Sequence, residues 1–277
     1  AVYDSCRRLL SEELGMEPSA RTTEIYEQIR SGELSFDKPP EQHVRGYALQ
    51  EELGKGAFGA VHKAIQPNVG REVAVKIILR EYANDPEFIR RFEAEAQTVA
   101  HLEHPYIVPL YDYWRDPQGA YLVMRYLRGG DLLTSLKAGP WSAERALKML
   151  DQITSALTAA HRQGVIHRDI KPANILLDEN GNAFLSDFGI AKRLNTEKNL
   201  TTDEAMVGTL DYISPEQILG EPVSPQSDIY SLGSVLYEAL TGERPFPDSS
   251  LASLLQKQLS EPVPYISQSR PDLPLQL

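Results

Sequence analysis

The residues whose types could do chemistry are concentrated in one stretch of the chain, His167-Arg168-Asp169-Ile170-Lys171-Pro172-Ala173-Asn174. Within it an aspartate, a lysine two residues later and an asparagine five residues later can face one small volume from a short loop. A second carboxylate follows thirteen residues after the asparagine, in Asp187-Phe188-Gly189. Two carboxylates, a carboxamide and an ammonium around one cleft suit a metal-bound polyphosphate and a hydroxyl that must lose its proton.

Three elements must position these groups. The apolar run Ile175-Leu176-Leu177 predicts a short strand that anchors the loop. The Asn180-Gly181 pair, within the polar stretch 178–182, predicts the hairpin turn that brings Asp187 back towards the loop. Upstream, apolar residues recur at helical spacing from Ser142 to Gln163, which predicts a long core helix that leads into the loop.

The composition of the whole chain limits the class of protein. The chain has 277 residues, 42% of them hydrophobic, which allows one large domain or two smaller ones. Its net charge of −11 argues against nucleic-acid binding as the main role, because such proteins present a basic face. The single cysteine, Cys6, excludes an intramolecular disulfide framework and favours a reducing, cytoplasmic location. No apolar stretch reaches the roughly 20 residues of a membrane-spanning helix.

The first 45 residues divide into a helical part and a linker. Residues 1–33 predict two short helices, the second capped by Ser19 or Thr22. Because such short helices are marginal alone, we expect them to end a larger helical domain. Residues 34–45, with Pro39-Pro40, predict a linker, and a new domain begins near Tyr47.

The helical part resembles the last helix pair of the bacterial transcriptional activator domain, a tetratricopeptide-like module. The residues that carry this resemblance are Leu9-Leu10-Ser11-Glu12-Glu13-Leu14-Gly15, Pro18, Thr22, Tyr26 and Ile29. An ordinary helical hairpin is the alternative interpretation.

A glycine-rich stretch, Leu53-Gly54-Lys55-Gly56-Ala57-Phe58-Gly59-Ala60-Val61, opens the next domain. Because residues 60–65 alternate like a second strand, we expect a hairpin and not the strand-to-helix turn of a dinucleotide site. Its glycines would let backbone N–H groups approach phosphate oxygens, although a plain glycine-rich turn is the alternative. Lys76 lies in the next predicted strand, where an ammonium group is costly to bury without a negatively charged partner. The partner could be a phosphate or a carboxylate of the helix predicted from Pro86 to Leu102.

In combination, these motifs resemble those of bacterial eukaryotic-like (Hanks-type) serine/threonine protein kinases. The motifs that follow the glycine-rich stretch in the family's order are Val73-Ala74-Val75-Lys76, His167-Arg168-Asp169, Asn174, Asp187-Phe188-Gly189, Ser214-Pro215-Glu216 and the run from Asp228 to Gly233. The resemblance covers residues 46–277 and implies an α+β, bilobal protein-kinase fold. The N-lobe and hinge, 46–127, would hold an antiparallel five-stranded sheet and one main helix. The mostly helical C-lobe, 128–277, would be incomplete at its C-terminus.

The resemblance also implies roles for individual residues. Asp169 would be the base for the substrate hydroxyl, and Lys171 would sit by the γ-phosphate. Asn174 and Asp187 would hold Mg²⁺, with Mn²⁺ as an alternative. Lys76, fixed by Glu95, would hold the α- and β-phosphates of ATP. The other ATP contacts would come from Leu53, Gly54, Gly56, Gly59, Val61, Ala74, Leu176, the gatekeeper Met124 and backbone groups near Arg125 and Leu127, although many kinases carry an acidic residue where Arg125 stands.

Further implied roles concern regulation and support. Arg168 implies control by a phosphate on the activation loop, where Thr201 or Thr202 is the predicted autophosphorylation site and Thr209 faces the substrate.

His167 would be structural, stacked with Phe188, Val99 and Leu110 in an apolar column. Asp228 would begin a central helix, Tyr230 to Thr241. Glu216 would pair with an arginine that the family carries later, but no arginine follows Arg270, so we expect a piece cut at both ends.

The implied function is ATP- and magnesium-dependent phosphorylation of protein serine and threonine residues in signal transduction. Self-association would serve autophosphorylation, and the kinase domain would not bind nucleic acid directly. Three alternatives stay open: a pseudokinase or scaffold module, a small-molecule phosphotransferase on the same fold, and a catalytically impaired fragment of a larger signalling protein.

Overall fold

The computed structural model describes residues 7, 12, 17–19, 22–23, 26–27, 43–56, 59–80, 86–188, 210–248 and 250–273. The chain divides into two compact units, Ala1–Ala48 and Leu49–Leu277. In the first unit, Thr22 donates its N–H to the Ser19 hydroxyl over 3.2 Å, which identifies Ser19 as the cap of the second predicted helix. Most of the predicted helical pair lies outside the described residues.

An antiparallel sheet fills the first part of the second unit. Its strands, in the spatial order β2-β3-β4-β6-β5, are β2 (Tyr47–Gly56), β3 (Gly59–Ile65), β4 (Glu72–Leu79), β5 (Leu110–Asp116) and β6 (Gly119–Arg125). In the first unit, the two-residue strand β1 (His43–Val44) pairs with the first two residues of β2. Strand β1 therefore lies within the segment 34–45 that the sequence analysis assigns to a linker.

One helix, α1 (Pro86–Ala100), packs on the sheet. Phe88, Phe92 and Ala96 recur at helical spacing on its buried face, and the two phenyl rings stack with centroids 5.6 Å apart. They join Ile78, Ala120 and Leu122 in what we call the sheet core. The helix ends two residues before the predicted boundary at Leu102.

The rest of the second unit is mostly helical. Its elements are α2 (Leu132–Leu136), α3 (Ala143–Arg162), a 3-10 turn (Pro172–Asn174), β7 (Ile175–Leu177), β8 (Ala183–Leu185), α4 (Pro215–Ile218), α5 (Pro225–Thr241), α6 (Leu251–Ser260) and α7 (Ile266–Ser269). Helix α3 matches the helix predicted from Ser142 to Gln163. It begins at Ala143 because the Ser142 side chain caps its first turn. Helix α5 starts three residues before Asp228, since Pro225 occupies its first turn and Ser224 its N-cap.

The longest helices meet in what we call the helical core. It includes Met149, Ile153 and Leu157 of α3 together with Leu232 and Val235 of α5, all buried. The predicted hairpin is formed by β7 and β8, which pack on this core. Gly181 takes a left-handed conformation in its turn, with φ of 71°. Among the described helices, none is long and apolar enough to cross a bilayer.

Candidate active site

The catalytic loop, residues 167–174, is anchored from below by a buried carboxylate on α5. Asp228 is 1% exposed, and its two oxygens accept the backbone N–H groups of His167 and Arg168 over 2.8 and 2.7 Å. Its Oδ2 also lies 2.7 Å from Nε2 of His161 at the end of α3. Because the Asp228 carboxylate itself is removed from water, it depends on these donors, and the contacts fix the loop relative to both long helices.

Both ring nitrogens of His167 are engaged within the protein. Nε2 lies 2.8 Å from the Ser186 carbonyl, and Nδ1 accepts the Asp169 amide over 3.3 Å. Complete burial lowers the pKa of His167, although the nearby Asp228 carboxylate opposes the shift. The imidazole is therefore neutral and has no nitrogen left for a substrate, which supports its predicted structural role.

Two non-glycine residues of the site have a left-handed backbone. Arg168 has φ of 67° and Asp187 has φ of 57°. Residues other than glycine avoid this region, and such strain persists only where the surroundings hold it. Arg168 directly precedes Asp169, and Asp187 is itself one of the predicted magnesium ligands. The strained backbone therefore sets the directions of the Asp169 and Asp187 side chains.

Three side chains of the catalytic loop converge as the sequence predicts. Asp169 Oδ2 lies 3.1 Å from the Lys171 ammonium and 3.1 Å from Asn174 Nδ2. The same Asn174 Nδ2 donates to the Asp169 carbonyl over 2.7 Å, which holds the 3-10 turn against the start of the loop. The carboxylate, the ammonium and the carboxamide thus share one small volume.

Lys76 crosses the cleft from β4 to Asp187. Its Nζ lies 2.6 Å from Asp187 Oδ1, with the two side chains 23% and 31% exposed. This aspartate is the ion-pair partner of Lys76 among the described residues. The pairing of Lys76 with Glu95 stays a prediction. Glu95 is half-buried on α1.

The glycines of the β2–β3 hairpin differ in what they require. A Cβ at Gly59 would stand 1.8 Å from the Ile77 carbonyl oxygen of β4, so the sheet itself excludes a side chain there. A Cβ at Gly54 or Gly56 would meet no atom of the described residues within 4 Å. Packing does not explain these two glycines, whereas close approach of a ligand does. Ala57 and Phe58, at the tip of the hairpin, lie outside the described residues.

The apolar residues that the resemblance assigns to the adenine differ in exposure. Leu53 is 42% exposed, Ala74 is buried, and Val61 and Leu176 are half-buried. Met124 packs against the sheet core and against a small cluster formed by Val108, Leu127 and Phe184. Leu176 packs against the same small cluster, which gives the apolar surface that a flat aromatic ligand needs.

The segment that joins the two lobes offers backbone groups at two of the predicted positions. The Arg125 amide donates to the Pro109 carbonyl over 3.1 Å, so a ligand could use only the Arg125 carbonyl. No hydrogen bond between described residues uses the Leu127 amide. The two positions can therefore present one acceptor and one donor.

Partly exposed ion pairs connect this segment to strands β3 and β4. Glu72 of β4 accepts Nε and Nη2 of Arg128 over 3.0 and 2.8 Å and lies 2.8 Å from the Lys63 ammonium. Hydrogen bonds from Lys63 and Arg128 lower the pKa of Glu72, which keeps it ionised. Sequence spacing gave no sign of this contact, because the partners are 56 residues apart.

The predicted apolar column is partly visible. The His167 and Phe188 rings lie 4.7 Å apart between centroids. Val99 packs against both the helical core, which contains Phe188, and the sheet core, against which Leu110 also packs. The sequence-predicted residues Thr201, Thr202, Thr209 and Gly189 lie outside the described residues.

Glu216 has a local partner. It accepts a short hydrogen bond from the Ser227 hydroxyl, which links α4 to the first turn of α5. Burial favours a higher pKa for Glu216, but the hydrogen bonds from Ser227 and Ser214 outweigh it and lower the pKa.

Sequence reasoning missed two residues that hold the catalytic loop. One is His161, which contacts Asp228. The other is Gln217, whose Nε2 donates to the Arg168 carbonyl over 3.0 Å. The spacing Ser214-x-x-Gln217 is that of a capping box, a signal that could have identified Gln217 as engaged but not its contact with the loop.

Comparison with known families agrees with this geometry. The protein kinase domain matches residues 47–273, so the chain belongs to the protein kinase family. The bacterial transcriptional activator domain matches residues 1–30. Both resemblances are confirmed, as is the bilobal kinase fold with its five-stranded sheet. Proteins of this family use ATP with a divalent metal ion and act on protein substrates.

Several bacterial serine/threonine-protein kinases are similar to the chain. PknA of Mycobacterium tuberculosis is 44% identical over 234 residues, which cover 82% of this chain and 53% of PknA. PrkC of Bacillus subtilis is 42% identical over 229 residues, 82% of this chain and 35% of PrkC. PknB of Mycolicibacterium smegmatis is 44% identical over 231 residues, 80% of this chain and 37% of PknB. The chain therefore spans about half the length of PknA and less of the other two.

Proposed function

We propose that this chain transfers the γ-phosphoryl group of ATP to serine and threonine hydroxyls of proteins. The observation that carries the proposal is the 2.6 Å contact between Lys76 and Asp187, which joins the phosphate-binding strand to the Asp-Phe motif. The catalytic loop supplies Asp169, Lys171 and Asn174 in mutual contact. All five side chains that phosphoryl transfer needs are thus present, which argues against a pseudokinase.

Asp169 is the group that meets the substrate. Its carboxylate orients the hydroxyl and accepts its proton as the oxygen–phosphorus bond forms. Lys171, 3.1 Å from this carboxylate, is close enough to contact the γ-phosphate of a bound nucleotide. Lysine at this position favours serine and threonine as acceptors over tyrosine, by resemblance to the family.

The nucleotide occupies the cleft between the glycine hairpin and the joining segment. Backbone groups at Gly54 and Gly56 approach the phosphates, because neither glycine is required by packing. The adenine lies between the apolar residues of the two lobes and hydrogen-bonds to the Arg125 carbonyl and the Leu127 amide. Lys76 then exchanges Asp187 for the α- and β-phosphates, and Glu95 becomes its partner.

The side chains fit a magnesium ion, because Mg²⁺ prefers oxygen ligands. Asp187 offers a carboxylate, and Asn174 offers its Oδ1, since its Nδ2 is used by Asp169. When bound, the ion would neutralise charge on the phosphates. Manganese would fit the same oxygen ligands.

Regulation by autophosphorylation is the remaining part of the proposal. A phosphate on Thr201 or Thr202 would pair with Arg168 and order the activation loop, with Thr209 facing the substrate. Two copies of the chain would associate to phosphorylate each other. The same proposal divides the chain into a helical pair (1–33), a linker (34–45), an N-lobe with hinge (46–127) and a C-lobe (128–277). It also includes a cytoplasmic location.

A direct test measures phosphoryl transfer from ATP labelled in its γ-phosphate to a generic basic protein. Asp169→Asn should lower the rate by about 10²–10⁴-fold, because the general base is lost. Asp151→Asn, on the exposed face of α3, is the matched control and should label at the wild-type rate. Equal labelling by wild type and Asp169→Asn, or none by wild type, would contradict the proposal and favour a scaffold.

A further inference from the structure

The backbone at Arg168 needs support that Asp228 alone does not provide. Its left-handed φ of 67° persists only if neighbouring groups hold it. Asp228 fixes the N–H side of the residue over 2.7 Å. The Arg168 carbonyl belongs to the next peptide group, which joins Arg168 to Asp169. The orientation of that peptide group also determines the direction of the Asp169 side chain.

Gln217 holds that carbonyl. Its Nε2 donates to the Arg168 oxygen over 3.0 Å, while the N–H of the same peptide group donates to His167 Nδ1 over 3.3 Å. Both polar ends of the peptide group between Arg168 and Asp169 are therefore bonded. With both ends fixed, the peptide plane cannot rotate without losing a hydrogen bond.

The orientation of the Gln217 amide is determined by its other partners. Its Oε1 accepts the Ser214 N–H over 3.2 Å and the Ser214 hydroxyl over 3.0 Å. A flipped amide would place its NH₂ group against these two donors and its oxygen against the Arg168 carbonyl. Ser214 is fully buried, so the turn that carries Gln217 is fixed in the helical lobe.

We infer that Gln217 is a positioning residue for Asp169, which it aims by holding the Arg168 carbonyl. It also connects residues 214–217, where the chain returns from the activation loop, to the catalytic loop. A glutamine is required, because one side chain must donate to Arg168 and accept from Ser214 at the same time. This inference rests on the proposed function, since it assigns Gln217 a role in phosphoryl transfer.

Two variants of the full chain test it. Gln217→Met removes both contacts in a similar volume, and Gln217→Glu keeps the acceptor for Ser214 but loses the donor to Arg168. We expect kcat for phosphoryl transfer to fall at least about ten-fold in both, because small displacements of a catalytic group are costly. The KM for ATP should stay within about two-fold, since no ATP-binding residue changes. Gln256→Met, on the exposed face of α6, is the control and should match wild type.

Hydrogen–deuterium exchange gives a readout that does not depend on activity. Amides of residues 167–171 should exchange faster in both variants, while binding of a fluorescent ADP analogue and the melting temperature stay near wild type. Three results would each overturn the inference. One is a wild-type kcat in Gln217→Glu, and another is unchanged exchange of these amides. The third is a parallel loss of stability, nucleotide binding and kcat. An inactive wild-type chain would instead contradict the proposed function, and the exchange result would still decide the role of Gln217.

Discussion

The two sides of the cleft are held in different ways. Beneath the catalytic loop the anchors are buried, with Asp228 1% and His167 0% exposed. On the nucleotide side the contacts are ion pairs within reach of water, such as Lys76 with Asp187 and Glu72 with Arg128. Buried acceptors are costly to remove because they leave donors unpaired, whereas exposed ion pairs contribute little to stability. The comparison indicates that the catalytic loop is fixed before substrates bind, while the phosphate-binding lysine can change partners.

The largest effect is expected from removing the buried anchor. Asp228→Ala leaves the amides of His167 and Arg168 and the His161 ring without their acceptor. We expect the free energy of unfolding to fall by about 3–5 kcal/mol. Urea denaturation followed by fluorescence of Trp114 and Trp141 would measure it. Asp151→Ala, on the exposed face of α3, is the control, and its free energy of unfolding should change little. A similarly small change in Asp228→Ala would contradict the conclusion that buried contacts hold the catalytic loop.

An intermediate effect, on activity and not on stability, is expected on the nucleotide side. Lys76→Met should lower kcat/KM on the order of 10²-fold, because a charge that stabilises the phosphates in the transition state is lost. Its free energy of unfolding should change by less than about 1 kcal/mol, since the Lys76–Asp187 pair is partly exposed. Kinetics and urea denaturation of the same preparation would test both parts. Destabilisation as large as that of Asp228→Ala would show that the two sides are held alike.

The smallest effect concerns the pH dependence of stability. Burial lowers the pKa of His167 in the folded chain. Below about pH 6.5 the His167 side chain therefore takes up a proton in the unfolded chain but not in the folded chain. As the pH decreases through this range, the free energy of unfolding decreases by up to about 1.4 kcal/mol per pH unit. His167→Gln should show a shallower slope between about pH 7.5 and 5.5 in urea denaturation. Identical slopes would mean that the imidazole is not held neutral.

Local patterns predicted the parts of the fold that depend on neighbours in sequence. The extent of α3 from near Ser142, the Asn180-Gly181 hairpin turn and the apolar stripe of α1 follow from short-range geometry. The start of α5 could also have been read from Ser224 and Pro225, a capping signal that the search for apolar spacing overlooked. Contacts between distant residues were harder to predict: the partner of Lys76 in the structure is Asp187, 111 residues away along the chain.

The sequence by itself determined the family, the order of the elements and the identity of the reactive side chains, because each follows from residue type and spacing. Only the tertiary structure decided how those side chains are held. The left-handed backbone of Arg168, the three donors to Asp228 and the amide of Gln217 depend on long-range packing, which brings α3, α4 and α5 against one loop. Burial then makes each of these hydrogen bonds costly to break, and spacing along the chain cannot report burial.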